Sequence, residues 1–265
     1  MCAKVSQIAT RLSNSRWAMR AHEPRTVAVI KGAKPLNAAS AIALPRGFRS
    51  SFLEGLIPSE IEAVLAAAAR RSISAKQIIY HEGDPAAHLF LLVTGRAARY
   101  KLTHGGAKLF LRWLAPGDVF GFMALRTDPP PLLTTVQVVR EGYVLVWDRA
   151  SARALVRRDP RLFANIYSAM TNYLASLIDV LVGRASQTAQ QRLARMLVES
   201  AHQIGRPRRD GIECDLTNEQ LAEMANVSAF TVSRQLSEWQ KQGLVAKSRG
   251  KILLRSPEHL VLSHF

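Results

Sequence analysis

The 265 residues predict a mixed α+β fold in three parts: a β sandwich or barrel, a long helix, and a C-terminal winged helix-turn-helix. Three observations predict it. Short β-rich runs recur at about 8–12-residue spacing between 72 and 148, divided by Gly, Pro and Asp turns. An apolar seam then repeats at helical spacing from 160 to 184. Finally, two capped helices around a tight turn precede a basic hairpin between 217 and 255.

The composition bounds this reading. Hydrophobic residues make up 48% and charged residues 21%, which is globular and not disordered. Charged residues or Gly interrupt every apolar stretch short of about 18–20 residues, so no membrane-spanning helix is expected. Two cysteines, Cys2 and Cys214, supply neither a disulfide framework nor a Cys₄ zinc site or iron–sulfur cluster. That usage fits the cytoplasm. With 36 Lys+Arg against 20 Asp+Glu, the formal charge of +16 favours a polyanion as partner, nucleic acid before a membrane surface. The excess is uneven. Residues 1–50 carry +8, and residues 51–183 and 184–265 carry +4 each. The first segment lacks sustained periodicity. It reads as a disordered basic extension or an over-extended start, or else as an arm adding sequence-independent DNA affinity. A targeting peptide is the further alternative, although no apolar signal core is present.

Residues 51–70 read as short helices, the second opened by Pro58 with Ile61, Val64, Leu65 and Ala68 on one face. Strands are expected at Gln77–His81, Leu89–Val93, Ala97–Leu102, Lys108–Leu114, Val119–Phe122, Leu133–Val138 and Tyr143–Trp147. A short helix covers 149–157, and a longer one runs from Pro160 to Arg184. In the longer helix Phe163, Ile166, Met170, Tyr173, Leu177 and Val180 are spaced 3, 4, 3, 4, 3, an a/d seam suited to the same helix of a second subunit. Leu162, Leu174, Ile178 and Leu181 form a second apolar stripe, which would face the β domain.

The C-terminal part is the most specific. Thr217 followed by Gln220 is a capping box opening a helix at Asn218. Asn226 tolerates the left-handed conformation of a tight turn. Ser228 caps the next helix, Ala229–Gln242, and Gly243 stops it. Lys247, Arg249 and Lys251 sit at the tip of the hairpin that follows, where cations suit phosphate. On the recognition helix Phe230, Ser233 and Arg234 share a face. Arg234 suits a guanine, Ser233 a base or phosphate, and Phe230 a thymine methyl or else the core. Ser228 and Thr231, with Thr217 and the wing's Arg249 and Lys251, are placed for phosphates.

In this order the parts resemble the Crp/Fnr family, of the cyclic-AMP receptor protein and fumarate–nitrate regulator type. The resemblance rests on HEGDPAAHLFLLVTG, LAPGDVFG, the long helix and the winged helix, and covers about residues 50–256. It implies a β-roll (a cyclic-nucleotide-binding-like jelly roll), a homodimer joined through the long helix, a palindromic operator in double-stranded DNA, and contacts to RNA polymerase. The domains are then 1–50 extension, 51–159 β-roll, 160–184 dimerisation helix and 185–265 DNA-binding domain. The departures matter as much. The family's ribose-binding Glu falls at Phe122, and its Arg-Ser/Thr phosphate pair falls at Leu132-Leu133. A cyclic phosphate buried there would lack a counter-charge, so cyclic AMP and cyclic GMP are not expected to bind tightly. Two cysteines also exclude the iron–sulfur branch. In the recognition helix Ala229-Phe230 replaces the Arg-Glu pair, and only Arg234 carries over.

The positions that would line a nucleotide pocket are apolar: Phe110, Trp113, Phe122, Met123, Leu125, Leu132 and Leu133. Such a pocket is either filled by its own side chains or holds haem or another apolar ligand. Haem would need an axial ligand, for which His81, His88 and His104 qualify by residue type alone. No catalytic motif is present: no His-x-His pair, Gly-x-Ser-x-Gly elbow or phosphate loop. No metal site is expected. A structural DNA-binding protein without site preference is the remaining alternative.

Overall fold

The computed structural model describes residues 43–262 apart from His104. Residues 1–42 of the expected extension, and His104, lie outside the described residues. Residues 43–50 already belong to the β domain: Leu44 and Phe48 pack on its core, and Ser50 Oγ donates to Gly117 O at 2.6 Å.

After helix α1 (Pro58–Ala66) come six strands: β1 (Ala69–Ile73), β2 (Ile78–Tyr80), β3 (His88–Leu102), β4 (Lys108–Leu114), β5 (Val119–Phe120) and β6 (Thr135–Asp148). Their order is β1-β6-β3-β4, with β2 on β6 and β5 on β3, all antiparallel. Two long strands replace the four short ones expected. Thr94-Gly95 is not a turn but an irregularity inside β3, where the register with β6 shifts between Leu92 and Ala97. Gly95 sits at φ +95°, and a Cβ there would lie 2.7 Å from Arg140 O. Opposite it, a Cβ on Gly142 would lie 2.1 Å from Thr94 O. Two glycines facing each other let the ribbon bend without ending.

Both faces of β3 are buried, which explains its continuous apolar run. Leu89, Leu91 and Val93 pack with Trp147 and the helices, while Phe90 and Leu92 point into the roll. Trp147 Nε1 donates to Val64 O at 2.9 Å, and Phe52 meets its ring edge-on at 5.5 Å.

Helix α2 (Arg149–Arg158) leads to α3 (Pro160–Ser186), 27 residues long and opened by the Asp159 cap and Pro160. Here the expected seam needs correction. Ile166 is 2% exposed and Leu162 1%, both packed on the β domain, and Tyr173, Leu177 and Val180 are half-buried. The open face instead carries Phe163, Tyr167, Met170, Leu174, Ile178 and Leu181. Of the expected seam only Phe163 and Met170 lie on it. The cause is local. Apolar residues occur as neighbours (Ile166/Tyr167, Tyr173/Leu174, Leu177/Ile178, Val180/Leu181), so two seams one position apart satisfy the same spacing.

The C-terminal domain comprises α4 (Ala189–Ile204), α5 (Asn218–Ala225), α6 (Ala229–Lys241) and α7 (Pro257–Leu262). These pack with β7 (Arg206–Arg208), β8 (Gly211–Cys214), β9 (Val245–Ser248) and β10 (Lys251–Leu254), in the sheet order β7-β8-β10-β9. Its core does not close on itself. Phe110 and Trp113 of β4 enter it beside Leu197, Met224 and Trp239. Trp113 Nε1 donates to Ser200 Oγ at 3.1 Å, and Arg96 donates to Asp215 O at 3.1 Å. The two domains are therefore joined through one shared core.

Candidate nucleic-acid interface

Local chemistry builds the helix-turn-helix. Thr217 Oγ1 accepts from Gln220 N at 3.2 Å, and Gln220 Oε1 accepts from Thr217 N at 2.9 Å, a reciprocal box that starts α5. Asn226 ends it in the left-handed conformation, φ 53° and ψ 55°, with its N–H on the carbonyls of Ala222 and Glu223. Val227 N then donates to Ala222 O at 3.0 Å, closing the turn. Ser228 Oγ accepts from Thr231 N at 3.0 Å and lies 2.8 Å from Thr231 Oγ1. Helix α6 buries Val232, Leu236 and Trp239, one stripe at helical spacing. Its opposite face is free.

On that face Phe230 is 75% exposed, so it does not pack in the core. Arg234 is exposed and makes no ion pair with the described residues. Ser233 is half-buried, and its carbonyl accepts from Ser237 Oγ at 2.8 Å. Thr217, Ser228 and Thr231 are committed to caps, which leaves spare lone pairs but fixes their rotamers. In the wing, Arg249 is exposed at the turn. Lys251 is not a free tip cation: its Nζ lies 3.1 Å from Glu213 Oε1, and Arg208 Nη2 reaches the same oxygen at 2.7 Å. These two hydrogen bonds, Arg208 first, hold the Glu213 carboxyl below the usual range. The structure thus assigns Lys251 a partner within the sheet. A groove between the wing and the start of α5 is lined by Thr217, Asn218, Glu219, Lys247, Arg249 and Lys251. The positive end of α5 and the wing cations face one space, which suits a phosphate.

The expected effector pocket does not assemble. Phe110 and Trp113 belong to the core shared with the DNA-binding domain. Phe122 and Leu125 pack toward the helices. Met123 and Leu132 lie in the roll interior, and Leu133 is 52% exposed. The dispersal follows from β4 turning both Phe110 and Trp113 onto the shared core, and from the short 3₁₀ turn Phe122–Leu125 placing Phe122 and Leu125 on one face and Met123 on another. Within the roll, Phe90 stacks on Phe120 at 5.1 Å, with Tyr80 against both. His81 is exposed just after β2, and His88 is half-buried at the start of β3.

Sequence reasoning missed Arg99. It is 4% exposed, inside the roll, with its guanidinium 4.3 Å from the Tyr173 ring of α3. No carboxylate pairs with it among the described residues, and its Nε has no hydrogen-bond partner. Burial opposes its charge, but the Tyr80 and Tyr173 hydroxyls more than offset this, so its pKa moves up. Tyr80 itself moves up because it is buried. The roll therefore does contain a cation, contrary to the expectation from Leu132-Leu133. That cation is occupied by two tyrosines, one from β2 and one from α3. No local signal singles Arg99 out, since Arg96 and Lys101 lie in the same strand.

A β-roll joined to a winged helix-turn-helix defines a class of DNA-binding regulators with a sensor-type domain. Residues 70–159 match the cyclic nucleotide-binding domain, and residues 191–262 match the Crp-like helix-turn-helix domain. The chain is 27% identical over 206 residues to the cyclic AMP receptor protein of Thermus thermophilus, covering 78% of this chain and 93% of that one. It is 21% identical over 214 residues to the CRP-like cAMP-activated global transcriptional regulator of Mycobacterium tuberculosis, covering 80% and 95%. The solved structure of FixK2 from Bradyrhizobium japonicum shares the fold, with a TM-score of 0.64 at 24% identity, covering 73% of this chain and 95% of that one. The chain belongs to the Crp/Fnr family and is a transcription regulator of that type.

Proposed function

We propose that the protein is a homodimeric, sequence-specific regulator that binds a palindromic operator and does not respond to cyclic AMP. The open apolar stripe on α3 carries the dimer: six large side chains, from Phe163 to Leu181, are each at least 43% exposed. Their spacing of 4, 3, 4, 4 and 3 is that of a coiled-coil seam with one extra step of four, between Leu174 and Ile178. By length and composition α3 is also the one helix among the described residues able to cross a membrane. Two features favour a seam. Asn165 donates to Phe52 O and Glu54 O at 3.1 and 2.8 Å, and the outer face carries Thr171, Asn172 and Asp179. A span would need apolar residues all round.

The absence of a cyclic-nucleotide response rests on Arg99. Its engagement with Tyr80 and Tyr173 links the roll to α3 without a ligand, and Phe90 and Phe120 pack against Tyr80. Phe122 stands where the ribose partner would be. Promoter contacts to RNA polymerase and a cytoplasmic location follow from family membership and belong to the same reading. Sedimentation of wild type and Leu174→Asp tests the dimer. Wild type should sediment as a dimer and the variant as a folded monomer; an unchanged dimer would remove this face from the interface.

A further inference from the structure

Phe230 is the one large apolar side chain on the reading face of α6, and 75% of it is exposed. It lies in the first turn, directly after the Ser228 cap, where side chains of a recognition helix meet base edges. A phenyl ring neither donates nor accepts a hydrogen bond. Pressed on polar base edges it would strip them of water without replacing the bonds. The major groove offers one apolar group, the C5-methyl of a pyrimidine, carried by thymine and also by 5-methylcytosine. Arg234 lies one turn further on, within about 6 Å of Phe230 along the face. At 3.4 Å per base step, the two side chains address positions within about two base pairs of each other.

Resting on the operator-binding reading, we propose that Phe230 makes site recognition depend on a pyrimidine C5-methyl group. At that position 5-methylcytosine replaces thymine, while uracil and unmethylated cytosine do not. The methyl-bearing pyrimidine lies within two base pairs of the guanine read by Arg234. Cytosine methylation at this position would then create or strengthen a site.

The full-length protein is used to select operators from a random duplex pool. Each thymine of the selected site is then replaced singly by uracil, by cytosine and by 5-methylcytosine opposite the matching base. One thymine per half-site should show a loss of about fourfold with uracil, the worth of one buried methyl group, and about 16-fold when both half-sites change. At that position 5-methylcytosine should bind about fourfold more tightly than cytosine. Phe230→Ala should bind thymine and uracil sites equally, with an unchanged melting temperature because the ring touches no core. Phe230→Glu should shift preference toward cytosine, whose N4 amino group a carboxylate accepts from. Equal binding of thymine and uracil at every position, or methyl dependence surviving in Phe230→Ala, would overturn the proposal while leaving the regulator intact. Failure to select any discrete sequence would overturn both.

Discussion

The winged helix and the β-roll are both marked out by glycines, caps and alternating apolar residues, yet they yield different kinds of knowledge. In the winged helix, the residues proposed to read DNA sit on positions fixed by neighbours in sequence. Ser228 sets the start of α6, and Phe230 and Arg234 follow at a spacing no distant contact alters. In the roll, the interior is set by residues far apart in the chain. Arg99 meets Tyr80 across the sheet and Tyr173 from α3. Local rules place a reading head; they do not say whether a pocket is open, filled or occupied by its own cation.

The comparison can be strained first at the joint between the two regions. Trp113→Ala removes a 3% exposed side chain from the shared core and leaves Ser200 Oγ without its donor. A loss of about 3–5 kcal/mol is expected in denaturant unfolding. A loss under about 1 kcal/mol would mean the two domains are stable apart. Arg234→Ala should cost about 1–3 kcal/mol on the selected operator and little on random DNA, by fluorescence anisotropy. Equal losses on both would reduce Arg234 to a phosphate contact.

The wing separates two cations that look alike in sequence. Arg249→Ala should lower the salt slope of binding by about one unit. Lys251→Ala should lower it less, because Glu213, shared with Arg208, offsets part of that charge. Equal slopes would mean the Glu213 pair opens on DNA. The smallest effect concerns Glu199 of α4, whose carboxyl is pushed up by burial against the opposing pull of Arg195. Its folded pKa lies above the unfolded one, so its contribution is fully present below the unfolded value and is lost as pH rises through the folded one. Glu199→Gln should therefore gain stability relative to wild type at pH 8 compared with pH 4. A constant difference across that range would contradict the shift.

Much of the fold was legible in the sequence. The Thr217 capping box, the Ser228 cap, the Asn226 turn and the strand-rich middle all form where composition and spacing place them. Four things were not legible. Gly95 and Gly142 look like turn residues singly; only their pairing across β3 and β6 makes them a bend in a continuous ribbon. The seam of α3 was ambiguous because its apolar residues come in adjacent pairs, and burial of Ile166 at 2% decides between registers. The pocket was misplaced because β4 turns both Phe110 and Trp113 onto the core shared with the DNA-binding domain, and Leu133 lies exposed before β6. Arg99 stayed hidden because nothing within a few residues hints at its tyrosine partners.

In the function proposed above, the roll is closed by its own side chains and needs no nucleotide. Isothermal titration calorimetry of cyclic AMP and cyclic GMP into the full-length protein tests this most directly, paired with operator binding in the presence of each. The account predicts no binding heat and an unchanged operator affinity. Micromolar binding with tighter operator association would contradict it, and would show that Arg99 leaves its tyrosines to meet a phosphate.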